Sequence, residues 1–193
     1  RSATTIAIPG ILTSAYLELQ LWWKDQFGGD LSELKTEVVP FDEIIPTIQQ
    51  DKFVAGLIIH EGQLTYGDEG LHNIIDLGAW WAQETGGLPL PLGGNAIRRN
   101  LGDDLMRRTS KLLRESIAYA LDNREEALDY AMEYARDMET RRGLADKFVG
   151  MYVNNWTLDY GPRGREAITR LLNEGAAAGL VPKMGEIDFV NAK

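Results

Sequence analysis

From Val54 to Ile59 the chain is apolar without interruption and rich in branched side chains, and it then delivers His60 and Glu61. An apolar run of that length without polar alternation reads as a strand covered on both faces, the usual condition of a parallel strand between helices. Two further runs, Thr4–Ile8 and Thr36–Val39, each precede a helical pattern. The first half of the chain is therefore constrained to an α/β arrangement of strand and helix in turn. In such open sheets ligands sit beyond the carboxyl ends of the strands. A histidine released there is held by a rigid element and faces solvent, with a side chain that titrates near neutral pH.

The remaining elements follow from capping and punctuation. Thr13 or Ser14 caps a helix running to Trp23 or Lys24, with Tyr16, Leu17, Leu19, Leu21 and Trp23 as its apolar surface. Asp42 caps a helix to about Gln50, and Leu71–Ile75 reads as a fourth strand before a helix through Trp80 and Trp81. Leu88–Gly94 is a Pro/Gly-punctuated crossing, and Asn95–Arg99 reads as a last strand. Beyond it the pattern is helical, with Asp103–Leu121, a helix capped by Asn123 to about Met138, Gly143–Asn154 and Gly164–Ala178. We expect two regions, an α/β lobe over 1–95 and a mainly helical segment over 96–193.

Composition excludes several classes of function. The 193 residues suffice for a real core, and 20 basic against 29 acidic side chains leave a net charge of −9. That balance argues against a nucleic-acid footprint, but local donors can still bind a small anionic substrate. Zero cysteines remove disulfides, thiolate metal sites and cysteine nucleophiles. They also fit a reducing compartment, and the expected location is cytoplasmic. No apolar run approaches the ~20 residues that span a bilayer. The chain starts at Arg1 rather than methionine, and we read it as a fragment or processed product.

Among candidate site residues His60 comes first. It reads either as a strand-end histidine bonded to backbone or as a general base whose tautomer is fixed by Glu61 or another carboxylate. It is not part of a helix-borne zinc pair, since position 64 is Leu64, and His72 is isolated, so no metal is expected. Pro9–Ala15 is the second candidate. A strand, a glycine turn and a hydroxyl-bearing helix start make either an ordinary N-cap or an anion site. Tyr66, the pairs Trp22–Trp23 and Trp80–Trp81, and Gly93–Asn95 read more simply as packing and turn residues. One tryptophan of each pair is expected to face inward. Arg98, Arg99, Arg107 and Arg108 form a basic cluster that pairing with Asp103 or Asp104 explains.

Several motifs recur together in a known family. They are Ile8-Pro-Gly-x-x-Thr-Ser-Ala-Tyr16, Ala55-Gly-Leu-Ile-Ile-His-Glu61 with Thr65-Tyr66, Asp76-Leu-Gly-x-Trp-Trp81, Thr85-Gly and Leu88-Pro-Leu-Pro-Leu-Gly93. Ser116–Leu121, Glu126–Tyr130 and Tyr152-Val-Asn-x-x-x-Leu-Asp159 continue the pattern. Through nearly its whole length the chain resembles the 1,4-dihydroxy-6-naphthoate synthases of the futalosine-dependent menaquinone pathway. The resemblance implies a two-lobed fold like that of type II periplasmic binding proteins, with substrate in the cleft. It implies cleavage of cyclic dehypoxanthinyl futalosine to the naphthoate and a small sugar-derived fragment, with no metal or redox cofactor. By position, His60 corresponds to the proton acceptor, and Thr13, Ser14 and Ala15 to the substrate-binding loop. Family members also carry a segment ahead of the first strand found here. That segment is expected as a separate piece, as a part lost to proteolysis, or its place is taken in a homodimer. Two other readings compete: a solute-binding module of the same fold, and the sibling dehydratase that acts on chorismate, against which the His-Glu strand argues.

Overall fold

The computed structural model describes residues 4–134 and 142–190. Within them the chain is mostly helical, with one small parallel sheet. Strands β1 (Ile6–Ile8), β2 (Thr36–Val38) and β3 (Ala55–Gly56) lie in the order β2-β1-β3, every pairing parallel. Helix α1 (Ser14–Phe27) connects the first two strands, and a 3₁₀ turn at Phe41–Glu43 leads into α2 (Ile44–Gln49), which connects the second to the third. The expected α/β alternation is therefore present in the first third of the chain.

The central strand is shut away from water, with Ala7 and Ile8 fully buried. Ala7, Val39, Ile44 and Phe53 form a core with Ile48 and Ile58 packed against it. Gly56 lets α2 close onto the sheet, because a Cβ there would lie 2.3 Å from Ile44 Cγ2 and 2.7 Å from Ile48 Cδ1. Short α3 (Gly62–Thr65) follows His60, and α4 (Leu77–Glu84) begins where the Asp76 carboxylate accepts the Ala79 N–H at 3.0 Å. Beyond these come α5 (Asp103–Asp122), α6 (Arg124–Met132), α7 (Arg142–Tyr152), α8 (Asn155–Leu158) and α9 (Gly161–Ala177).

Two compact units result. One comprises Arg1–Leu92 with Glu166–Met184, the other Gly93–Arg165 with Gly185–Lys193. In the first, Leu17 of α1, Trp81 of α4 and Leu171 of α9 form a second core, ringed by Leu21, Trp80, Leu90, Leu180 and Val181. In the second, α6 and α7 meet through Leu128 and Ala145, and Arg124 reaches Asp146 at 2.8 Å. Helix α5 is strongly amphipathic yet buries none of its residues. No helix among the described residues is long and apolar enough to cross a membrane.

Several expected elements differ. The strand expected over Val54–Ile59 pairs only as far as Leu57, whose N–H reaches Ala7 O at 2.8 Å. The next rung would need an N–H from residue 9, and Pro9 has none. Leu71–Ile75 forms no strand; Ile74 is 73% exposed and has no core to enter. Asn95–Arg98 is open chain, leading into a 3₁₀ turn at Arg99–Leu101. Asp42 lies inside its 3₁₀ turn rather than capping α2. Asn123 donates back to Tyr119 O at 2.9 Å, serving the end of α5 instead of the start of α6. The expected extension of that helix to Met138 lies outside the described residues. Trp81 is buried and Trp80 half-buried as expected, whereas Trp22 and Trp23 both remain half-buried, the first edge-on and the second tilted against Phe27.

Candidate active site

Because β1, β2 and β3 run parallel, the segments that follow them leave one edge of the sheet. Thr13, Ser14 and Ala15 follow β1, Phe41 follows β2, and His60 follows β3. β1 and β3 are hydrogen-bonded neighbours, so the loop expected to hold substrate and the expected base emerge side by side in sheet order.

The hydroxyls of that loop are committed to the protein. Thr13 Oγ1 accepts the Tyr16 N–H at 3.1 Å and donates to Gly10 O at 2.9 Å, which makes Thr13 the N-cap of α1. Ser14 Oγ donates to Leu92 O at 2.8 Å, fastening the Leu88–Leu92 crossing to the helix start. The backbone N–H groups of Ser14 and Ala15 belong to the first turn, where no intrahelical acceptor exists. They and the positive end of the helix dipole are what this loop can offer an anion.

His60 is mostly enclosed, its side chain 14% exposed. Its Nδ1 accepts the Gly62 N–H at 3.0 Å, while the Glu61 carboxylate stands 3.9 Å from the same nitrogen, too far for a hydrogen bond. With Nδ1 as acceptor, the neutral ring carries its proton on Nε2. That Nε2 is buried and has no hydrogen-bond partner. Gly62 is required by the packing: a Cβ there would stand 2.6 Å from His60 Cε1 and 2.8 Å from Ile45 Cδ1. On its other side the imidazole lies against Phe41, ring centroids 5.7 Å apart. The strand-end histidine is thus bonded to backbone through one nitrogen, while the other is enclosed and unpartnered.

Other candidates fall into place as scaffold. Tyr66 closes α3, its N–H bonding to Gly62 O at 2.9 Å. Trp81 donates through Nε1 to Pro89 O at 3.2 Å and lies in the core. In the second unit Arg108 approaches Asp104 at 3.8 Å as expected, but Arg99 pairs with Asp188 at 2.6 Å. No group of three or more His, Asp or Glu among the described residues is placed to hold a metal ion.

Two residues escaped the sequence reading. The sequence marks Phe41 only as an aromatic directly after Val39-Pro40. Glu18, only 2% exposed, has its carboxyl pushed up to about 8 by burial, and its Oε1 has no partner. Its sequence signal is a lone carboxylate inside Tyr16-Leu17-Glu18-Leu19.

Comparison with known proteins adds the family. Residues 1–177 match the family model described as menaquinone biosynthesis. A 1,4-dihydroxy-6-naphthoate synthase of Streptomyces coelicolor is 41% identical over 181 residues, covering 94% of this chain and 62% of that protein. One from Thermus thermophilus is 42% identical over 175 residues, with 91% and 60% covered. A crystal structure of an Archaeoglobus fulgidus protein superposes with a TM-score of 0.82 at 39% identity, covering 93% of this chain and 64% of that one. The chain therefore spans about three fifths of the length of the curated relatives it matches. With a family match running from residue 1 to 177, the chain belongs to the menaquinone-biosynthesis family.

Proposed function

We propose that this chain carries the proton-abstracting part of a carbon–carbon lyase that converts cyclic dehypoxanthinyl futalosine to 1,4-dihydroxy-6-naphthoate. His60 is its general base, and Thr13, Ser14 and Ala15 form its substrate loop. The observation that carries this reading is the emergence of His60 and the α1 N-terminus from neighbouring parallel strands, with His60 Nε2 buried and unpartnered. The names of the two curated relatives supply the product. The larger fold in this proposal is the two-lobed, type II periplasmic-binding-protein kind that the motif resemblance implies.

The chemistry asks for two changes at His60: its proton must leave Nε2, and the ring must turn so that the buried Nε2 meets substrate. A base needs a lone pair facing the substrate, but Nε2 carries the proton while Nδ1 accepts from Gly62. Moving the proton to Nδ1 breaks that bond, and the nearby Glu61 carboxylate, now 3.9 Å away, becomes its acceptor. Nε2 then takes a proton from substrate, and the electron pair left behind drives carbon–carbon cleavage. The first-turn N–H groups of α1 hold an anionic oxygen meanwhile. The cytoplasmic location and the contribution of further polypeptide to the cleft belong to the same proposal.

The test is His60→Gln in the full-length gene product, incubated with cyclic dehypoxanthinyl futalosine while the naphthoate is followed by mass. A lost general base lowers turnover about 10²–10⁴-fold, with substrate binding retained. Unchanged turnover overturns the assignment. The Nδ1 bond to Gly62 also favours a second reading, a solute-binding module in which His60 is structural. That reading requires the unsubstituted protein to bind the compound and return it unaltered.

A further inference from the structure

Resting on that reading, we infer that Phe41 is a substrate-contacting specificity residue, an aromatic platform for the planar ring system that becomes the naphthoate. Phe41 opens the 3₁₀ turn after β2 and is 52% exposed. The next apolar residues, Ile44 and Ile45, are 0% and 8% exposed. The core is thus filled from this segment without the phenyl ring. Its ring instead lies against the imidazole of His60, centroids 5.7 Å apart and planes inclined by 52°.

This placement gives an exposed aromatic surface against the imidazole, whose Nε2 is buried and has no partner. A ligand with a flat aromatic portion gains by lying offset or edge-on against such a ring, beyond what apolar burial alone provides. An aromatic group set on Phe41 carries its substituents past the edge of the imidazole, and the same turn of the ring that frees Nε2 brings it to an acidic C–H there. The sheet-edge loop after β1 adds further apolar surface, with Ile11 66% and Leu12 96% exposed. Phe41 accordingly selects for the aromatic part of the substrate, and His60 acts on the atom presented beside it.

The probe is 1,4-dihydroxy-6-naphthoate itself, titrated calorimetrically into the full-length gene product. Phe41→Ala should weaken binding about tenfold or more, and Phe41→Tyr should stay within about threefold. Phe41→Leu restores apolar bulk without a ring, so it should bind nearly as poorly as the alanine variant. In turnover of cyclic dehypoxanthinyl futalosine, Phe41→Ala should raise KM about tenfold, leave kcat within about threefold and keep the pH profile unchanged. Leucine binding as well as phenylalanine overturns the inference, as does an alanine variant that loses thermal stability alone, or an unsubstituted protein that does not bind the naphthoate. His60→Gln separates the two claims: full turnover in that variant removes the base assignment, while the Phe41 binding series still reads on the platform.

Discussion

Glu18 sits in the second turn of α1 with its side chain shut away from water and one oxygen unpartnered. Burial disfavours the charged form and pushes the carboxyl from 4.5 up to about 8. An acid raised in the folded state contributes stability that is intact below its unfolded value and is lost as pH rises through its folded value. The window here runs from about pH 4.5 to 8. Glu18→Gln should therefore match the native chain near pH 4 and exceed it by roughly 3–5 kcal/mol above pH 8, read from denaturant midpoints at both ends. At the same scale, the identity of His60 as the residue to examine was legible from a histidine ending an apolar run. Its tautomer was not, because the Gly62 N–H that claims Nδ1 arrives through the local turn into α3. Phe41 and Glu18 were illegible for a related reason: exposure of an aromatic and enclosure of a carboxylate are properties of the neighbours that tertiary packing provides.

Among the elements, those with a local cause were readable and those needing a partner were not. Helix α1 starts where Thr13 accepts the Tyr16 N–H, and it ends at Gly28, whose φ of 78° is left-handed. Thr13→Ala should cost about 1–2 kcal/mol in denaturant unfolding, and Thr13→Ser should restore most of it. Both substitutions leave Ser14 and Ala15 in place, so a larger loss would show that the Gly10 contact matters more than the cap. Helix α5 was equally plain from its acidic first turn and amphipathic pattern. By contrast Leu71–Ile75 has the composition of a strand but no neighbour in the sheet to receive it. Asn123 likewise has the chemistry of a cap, and it bonds the preceding helix instead.

Across the whole molecule, Leu171 shows what chain order conceals. It lies in α9, more than a hundred residues beyond the sheet, yet it is 3% exposed and packs with Leu17 and Trp81 in the first unit. Arg170, its neighbour, donates to Glu84 O at 3.0 Å and lies over the Trp81 ring. Leu171→Ala should lower stability by about 2–5 kcal/mol through the cavity it leaves, measured as a shift in the unfolding of the unit that contains the sheet. The sequence by itself determined the α/β alternation of the first strands and helices, the start of α1 at its Thr13 cap, the amphipathic α5, the strand that presents His60 and, through its motifs, the family, because each of these rests on periodicity, capping chemistry or residue identity within a short window. Only the tertiary structure decided that β3 stops pairing opposite Pro9, that Leu171 completes the core around Trp81, that Phe41 faces His60 and that Gly62 fixes the ring. The first three depend on which surfaces meet, supplied by residues distant in the chain; the last depends on the turn into α3 that Ile45 and the ring together confine.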